Sequence, residues 1–166
     1  LSALDSGIEA VSDTMQSHSE IKLLILEHRN LLTDCIAQFK QEHPEIHFNI
    51  CHNFYDTRSF NFDLCIAAFP PTDDRLEELP LTKEMIKLGV NSCDELSSRK
   101  EVSLGELSGR RFISLPPSSS ISRIANEVCL SYGFSPEYSI FCDDPYYIRR
   151  YISIGLGIAF VPSISW

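Results

Sequence analysis

The feature that most constrains the fold is an alternation between short apolar runs and segments in which apolar residues recur with helical spacing. In the first half of the chain, the runs at 21–27, 46–52 and 62–69 predict buried strands. A helical stripe at 32–39 lies between the first two runs, and Pro70 and Pro71 directly follow the third. Strands that alternate with helices predict an α/β fold with mostly parallel sheets.

The second half repeats this order after a polar stretch at 92–103. The run at 111–116 predicts a strand, the stripe from 121 to 132 a helix that ends at Gly133, and 137–143 another strand. Asp144-Pro145 begins a further helix, which leads into a strand at 158–162, and an extended segment at 76–91 joins the halves. We therefore predict two Rossmann-like lobes preceded by a linker helix. The predicted parts are a linker or dimerisation helix at 1–18, a first lobe at 19–91, a second lobe at 92–162 and the start of a return towards the first lobe at 163–166.

The first residues carry an apolar spacing that is typical of paired helices. Leu1, Leu4, Ile8, Val11 and Met15 follow the 3-4-3-4 spacing of a coiled-coil seam. This spacing predicts that Leu4, Ile8, Val11 and Met15 hold two copies together. The alternative is an ordinary surface helix, because the pattern covers only about two heptads.

Composition and charge exclude several classes of protein. No apolar run approaches the roughly 20 residues of a membrane span, and the N-terminus lacks the pattern of a signal peptide. The formal net charge of −9 predicts a surface that repels nucleic acid. We expect a cytoplasmic protein with no membrane contact, in which this segment does not itself bind DNA.

The six cysteines have neither C-x-x-C spacing nor a zinc-like arrangement with histidine, so we expect no metal and no cofactor. Cys35, Cys65 and Cys129 fall on apolar faces, which favours core thiols in a reducing compartment. The alternative is a redox-sensing pair formed by Cys129 and Cys142. The histidines His18, His43, His47 and His52 share no metal-ligand spacing and are expected at the surface.

Candidate ligand contacts follow from the predicted topology, because parallel α/β sheets bind ligands at the carboxyl ends of their strands, beside helix N-termini. The charged and polar residues His28, Arg29 and Asn30 follow the first strand, and the serine cluster Ser118, Ser119 and Ser120 follows the strand at 111–116. Asn53, Phe69 and Asp144 lie just past the ends of other strands. For Asn30, Ser120 and Asp144 the alternative is helix capping, and for Phe69 it is core packing.

No catalytic motif stands out. The chain has no G-x-S-x-G elbow, no G-x-x-x-x-G-K-[ST] loop and no H-E-x-x-H. We therefore expect a binding domain and not an enzyme.

Two segments carry a family resemblance: VSLGELSGRRFISLPPSSSISRIANEVCLSYGFSP at 102–136 and YYIRRYISIGLGIAFVP at 146–162. With the order of the earlier elements, they resemble the effector-binding domain of bacterial LysR-type transcriptional regulators, whose fold is like that of a type 2 periplasmic binding protein. The resemblance implies a small-molecule effector bound between the lobes and a homodimer or tetramer. It also implies that DNA is bound by a winged helix-turn-helix outside this sequence.

The resemblance further implies a dimer contact between the segments at 31–42 and 46–52 of one copy and the helix at 121–132 of its partner. A transporter's solute-binding protein is the alternative with the same fold. Two departures from the family accompany the resemblance: the connection between the strands at 46 and 62 is short, and Trp166 comes before the strand and helix that usually complete the first lobe.

Overall fold

The computed structural model describes residues 20–52, 61–68 and 76–166. Strands alternate with helices at 20–51 and again at 111–162, as the apolar pattern predicts. The strands are β1 Glu20–Ile25, β2 His47–Cys51, β3 Leu64–Ile66, β4 Ile86–Gly89, β5 Arg111–Ser114, β6 Glu137–Phe141 and β7 Ala159–Pro162. The α-helices are α1 Arg29–Glu42, α2 Ser120–Ser131 and α3 Pro145–Ser153, and 3₁₀-helices cover Glu95–Ser98 and Leu104–Leu107. The predicted pairing helix with Leu4, Ile8, Val11 and Met15 lies outside the described residues, as do Asn53 and Phe69.

The chain forms two compact units that divide between Lys83 and Glu84. Ser165 belongs with the first unit, and residues 84–164 with Trp166 form the second. This division comes earlier than the predicted change after residue 91. The physical reason is that β4 pairs antiparallel with β7, which holds residues 86–89 in the second unit.

The first unit contains a parallel sheet in the order β2-β1-β3. Ile21, Leu23 and Ile25 alternate along β1 on one face, where they pack against Leu32 and Cys35 of α1. Leu24 points to the opposite face and is also fully buried. Because β1 is central and covered on both faces, it has the nearly continuous apolar sequence expected of a buried parallel strand.

In the second unit, β5 is parallel to β6, and a parallel bridge between Phe112 and Ile158 links β5 to the start of β7. One core cluster centres on Phe112, which stacks on Phe160 with 5.8 Å between ring centroids. A second cluster lies beneath α3 and contains Ile113, Ile148, Ile152 and Ala159. Fully burying an Ile or Phe side chain stabilises a fold by roughly 1.5–3 kcal/mol. The first cluster, which includes Cys129, holds α2 on the sheet, and the second holds α3.

Candidate functional site

Two helix N-termini lie at the same edge of the sheet in the second unit. β5 and β6 are parallel, Ser114 pairs with Phe141, and the Cys142 N–H donates to the Ser114 carbonyl at 2.9 Å. Both strands therefore end at one edge, and each is followed by a helix, α2 after β5 and α3 after β6. Free N–H groups at helix N-termini suit an anion or a hydroxyl oxygen, so this edge is a candidate ligand site.

The start of α2 is formed by the serine cluster. Ser119 is the N-cap, and its hydroxyl accepts a hydrogen bond from the Ser122 N–H at 3.3 Å. The alternative that Ser120 caps the helix is therefore wrong, because the preceding residue, Ser119, is the N-cap. The reason is the turn that precedes the helix, in which the Ser119 N–H donates to the Pro116 carbonyl at 2.9 Å, so that Ser120 is the first helical residue. Ser118 is exposed beside this cap.

Two buried hydroxyls lie behind the cap, and the apolar pattern gave no sign of them. Ser114 and Ser122 have their Oγ atoms 3.1 Å apart, and the Ser122 hydroxyl also donates to the Leu115 carbonyl at 3.2 Å. Both residues are buried, and each hydroxyl has a partner. The pair ties the end of β5 to the first turn of α2, which keeps the cap in a fixed position relative to the sheet.

The start of α3 has a different charge. Asp144 is the N-cap, its carboxylate accepts from the Tyr146 N–H at 2.8 Å, and Pro145 occupies the first turn. The capping alternative for Asp144 is thus confirmed. Because the carboxylate compensates the partial positive charge at this helix end, the N-terminus of α3 does not favour an anion. The N-terminus of α2, which is capped by neutral hydroxyls, keeps that preference.

In the first unit, the candidate residues lie at the carboxyl end of β1. His28 is the N-cap of α1 in a left-handed conformation, with φ of 55°, and its Nδ1 lies 3.3 Å from the Ser165 hydroxyl. The prediction that Asn30 caps the helix is wrong, because the His28 carbonyl already accepts from the Leu32 N–H at 3.0 Å. Asn30 is instead an exposed residue in the first turn.

His52 connects the ends of β1 and β2. Its Nδ1 lies 3.0 Å from the Ile25 carbonyl, and since a carbonyl only accepts, this nitrogen carries the proton. The Arg29 guanidinium donates to the His52 carbonyl at 3.1 Å. Sequence reasoning placed His52 simply at the surface; it is exposed, but it also positions Arg29. The structure therefore brings His28 and Arg29 to one strand end, together with a histidine that the pattern did not select.

The cysteines of the described ranges are free thiols. Burial raises the pKa of the Cys129 thiol, which disfavours the thiolate that redox chemistry requires. The Cys142 thiol is half-buried and lies 3.6 Å from the Asp144 carbonyl. No group of three His, Cys, Asp or Glu side chains among the described residues is arranged to hold a metal ion. Within the same ranges, no helix is long and apolar enough to cross a membrane.

Comparison with solved structures identifies the fold. The effector-binding domain of QuiR in complex with shikimate superposes with a TM-score of 0.77 at 20% identity, covering 90% of this chain and 76% of that one. The CcmR regulatory domain from Synechocystis PCC6803 in complex with 2-PG gives 0.78 at 16% identity, with 87% and 72% covered. These similarities confirm the predicted α/β fold with mostly parallel sheets.

Sequence comparison identifies the family. An uncharacterized HTH-type transcriptional regulator, YybE of Bacillus subtilis (strain 168), is 25% identical over 140 residues. The alignment covers 81% of this chain and 48% of YybE, so the chain spans about half the length of that relative. The family model described as the LysR substrate binding domain matches residues 17–165. Because this match includes nearly the whole sequence, the chain belongs to the LysR substrate binding domain family, as the resemblance implied.

Proposed function

We propose that this chain is the effector-sensing part of a transcriptional regulator, and that its effector is a small molecule with an anionic group. The observation that carries the proposal is the N-terminus of α2. This helix begins after a neutral N-cap, Ser119, at the carboxyl edge of β5. At the neighbouring helix α3, the carboxylate of the N-cap Asp144 already compensates the partial positive charge of the N-terminus. Only the first of these two ends attracts a negative group.

The comparisons support a small-molecule effector. The QuiR and CcmR domains, which share the fold, were solved with shikimate and with 2-PG. Their low identity to this chain does not identify its effector, so the chemical class comes from the residues described above. The effector changes regulation only if it binds the active arrangement of the protein more tightly than the inactive one.

The predicted contact residues remain proposals with distinct roles. In the second unit we propose that Ser118, Ser119 and Ser120 present hydroxyl and N–H groups to the effector, and that Asp144 receives a donor from it. In the first unit we propose His28, Arg29 and Asn30, with Arg29 supplying the positive charge. Asn53 and Phe69 complete the proposed set from outside the described residues.

A matched pair of variants tests the anion preference of α2. Aspartate and asparagine are both good N-caps, so Ser119→Asp and Ser119→Asn should each preserve the helix. Only the aspartate places a negative charge where the effector's anionic group is proposed to bind. We expect Ser119→Asn to retain binding within a few-fold and Ser119→Asp to weaken it at least tenfold, consistent with the loss of a charge-assisted contact.

Thermal shift with a panel of small carboxylates and phosphate esters provides the first measurement, because a ligand that binds the folded state raises its melting temperature. Titration calorimetry of the best compound then compares the two variants. Ser131→Ala, at the far end of α2, is the control. Equal affinity of Ser119→Asp and the unchanged chain for that compound would contradict the proposal, as would stabilisation by uncharged compounds alone.

We further propose that the regulator acts as a dimer or tetramer in the cytoplasm, and that DNA is bound by a helix-turn-helix elsewhere in the protein. YybE, which is about twice as long as the matched region, is described as an HTH-type regulator. Under this proposal, the chain senses and does not catalyse. Replacing Leu4, Ile8 and Val11 together by alanine should weaken self-association in sedimentation, whereas an unchanged assembly would refute the predicted seam.

A further inference from the structure

A groove of about 360 Å³ lies in the second unit, at the edge of the sheet where β5 begins. It is distant from the proposed effector site, because Ser114, at the other end of β5, is three residues or roughly 10 Å further along the strand. Asn91, Asp94, Arg110, Arg111, Gly155 and Gly157 are among the residues that line it. We call it the arginine groove.

The two arginines of the groove differ in their partners. The Arg110 guanidinium forms an ion pair with the Asp94 carboxylate. Its Nη1 also lies 3.9 Å from Oε1 of Glu95. Arg111 is exposed and has no ion-pair partner within the ranges that the structure describes. Among the residues that line the groove, Asp94 and Arg110 neutralise each other, so Arg111 gives the lining a net positive charge; Glu95 is mostly exposed and lies outside the lining.

The groove also contains an uncovered backbone donor. A Cβ at Gly157 would lie 2.7 Å from the Arg111 carbonyl and 3.1 Å from Ile113 Cγ1, so only glycine fits there. The N–H of this glycine donates to no acceptor in the described part of the chain. Gly157 is partly exposed and lines the groove, so this donor without an acceptor lies in the groove wall.

The C-terminal end of α3 borders the groove, and carbonyl groups without hydrogen-bond donors there would repel an anion. These carbonyls instead accept hydrogen bonds. The Asn91 side-chain amide donates to the Ser153 carbonyl at 2.5 Å, and the Gly155 N–H donates to the Ile152 carbonyl at 2.9 Å. The Leu156 N–H likewise donates to the Tyr151 carbonyl at 3.1 Å. The negative end of the helix dipole is therefore partly compensated by these donors.

We propose that the arginine groove is a second ligand site, which binds a small oxyanion, phosphate or carboxylate, through the Arg111 guanidinium and the Gly157 N–H. A planar guanidinium with its forked donors and a backbone N–H together match the geometry of such a group. The site lies wholly within the second unit and does not use the serine cluster of the proposed effector site. The proposal of a second ligand site is therefore independent of the proposed effector site.

The test is titration of the ¹⁵N-labelled 166-residue chain with inorganic phosphate, and separately with acetate, followed by the amide resonance of Gly157. We expect phosphate to shift this resonance in a saturable way, and Arg111→Gln to raise the dissociation constant at least about tenfold. Arg111→Lys keeps the positive charge and should therefore lose less affinity for phosphate than Arg111→Gln. Arg149→Gln removes the same charge from an exposed position of α3 and should change binding less than twofold. The acetate arm tells whether a carboxylate is accepted as well.

Each alternative outcome has a distinct meaning. An unshifted Gly157 resonance in the unaltered chain overturns the proposal, whatever the variants do. Equal weakening by Arg111→Gln and Arg149→Gln also overturns it, since the effect would then be one of net charge. If phosphate moves only the Ser120 resonance and Ser119→Asp abolishes that shift, the anion occupies the proposed effector site and the groove proposal fails alone. Melting temperatures of the variants verify that each one folds.

Discussion

Replacing Gly157 by alanine should destabilise the second unit for a steric reason that is visible in the backbone. The new Cβ would lie 2.7 Å from the Arg111 carbonyl, and that carbonyl accepts a hydrogen bond from the Ile158 N–H at 2.9 Å. The Ile113 N–H donates in turn to the Ile158 carbonyl at 2.8 Å. The overlap is relieved only when β5 and the start of β7 separate, which weakens the bonds that join them.

The magnitude follows from two contributions. Overpacking in a closely packed interior costs about 1–3 kcal/mol, and a lost backbone hydrogen bond costs about 1 kcal/mol net. We therefore expect Gly157→Ala to lower the free energy of unfolding by about 2–4 kcal/mol. Gly155→Ala provides a comparison, because its φ of +79° strains an alanine while its Cβ has room; the expected cost is about 1–2 kcal/mol.

Urea unfolding followed by the fluorescence of the single tryptophan measures these differences, because Trp166 packs against the core beneath α3. Gly105→Ala is the control, since the atom nearest to its new Cβ would be the Ser103 hydroxyl oxygen at 4.0 Å and its φ is not in the left-handed region. It should stay within about 0.5 kcal/mol of the unaltered chain. A Gly157→Ala variant as stable as Gly105→Ala would refute the argument that the close approach of β5 and β7 requires glycine.

Three further predictions concern packing, pH and thiol reactivity. Ile148→Ala should lose about 2–5 kcal/mol of unfolding free energy because its side chain is fully buried, whereas Ile154→Ala, at an exposed position, should lose less than about 0.5 kcal/mol in the same urea assay. The hydrogen bond from the Leu96 N–H, and then Arg110, hold the pKa of Asp94 below its ordinary value of 3.8, so its contribution to stability is present above that value and is lost as the pH falls through the lowered pKa. Asp94→Asn should therefore flatten the acid side of a stability-pH profile; an unchanged profile would contradict this. In native buffer, Cys93 should react with a thiol reagent much faster than the buried Cys129, which mass spectrometry of the labelled peptides resolves; similar rates would show that the second unit opens readily.

The fold was largely predictable because burial follows simple periods. The buried strands β1 and β5 were expected at 21–27 and 111–116, and the structure places them at Glu20–Ile25 and Arg111–Ser114. Helix α2 was expected to run to Tyr132, which is its C-cap, before Gly133 with its φ of 83°. The boundary between the units was harder to predict. It depends on the pairing of β4 with β7, a contact between segments more than 60 residues apart that no local pattern reveals.

The candidate site was less predictable, because caps and buried polar pairs depend on single hydrogen bonds. Asn30 is the better cap by composition, yet His28 takes the position by adopting a left-handed conformation, with its ring beside Ser165. Ser119, not Ser120, caps α2 because the proline turn before it shifts the first helical residue. Ser122 lies on the buried face of α2 with the apolar residues, and only the three-dimensional structure shows its hydroxyl bonded to that of Ser114.

The net charge and the proposed anionic effector together predict an unusual salt dependence. A charge of −9 repels an anion at long range, while the proposed contacts at the N-terminus of α2 act only over a few ångströms. The Debye length falls from about 30 Å at 0.01 M salt to about 8 Å at 0.15 M, so added salt removes the repulsion before it screens the contacts.

The association rate constant of an anionic effector should therefore rise over this range of ionic strength, and that of an uncharged analogue should stay constant. Stopped-flow measurement with the most stabilising compound of the thermal-shift panel determines both. Under the proposed function, DNA binding by the whole protein should show the opposite salt dependence, because phosphate contacts release counterions. A rate constant for the anion that falls with salt would mean that positive side chains near the site, such as Arg29 or Arg123, dominate the approach. In that case, charge reversal at those arginines, and not at the cap of α2, would decide which effectors bind.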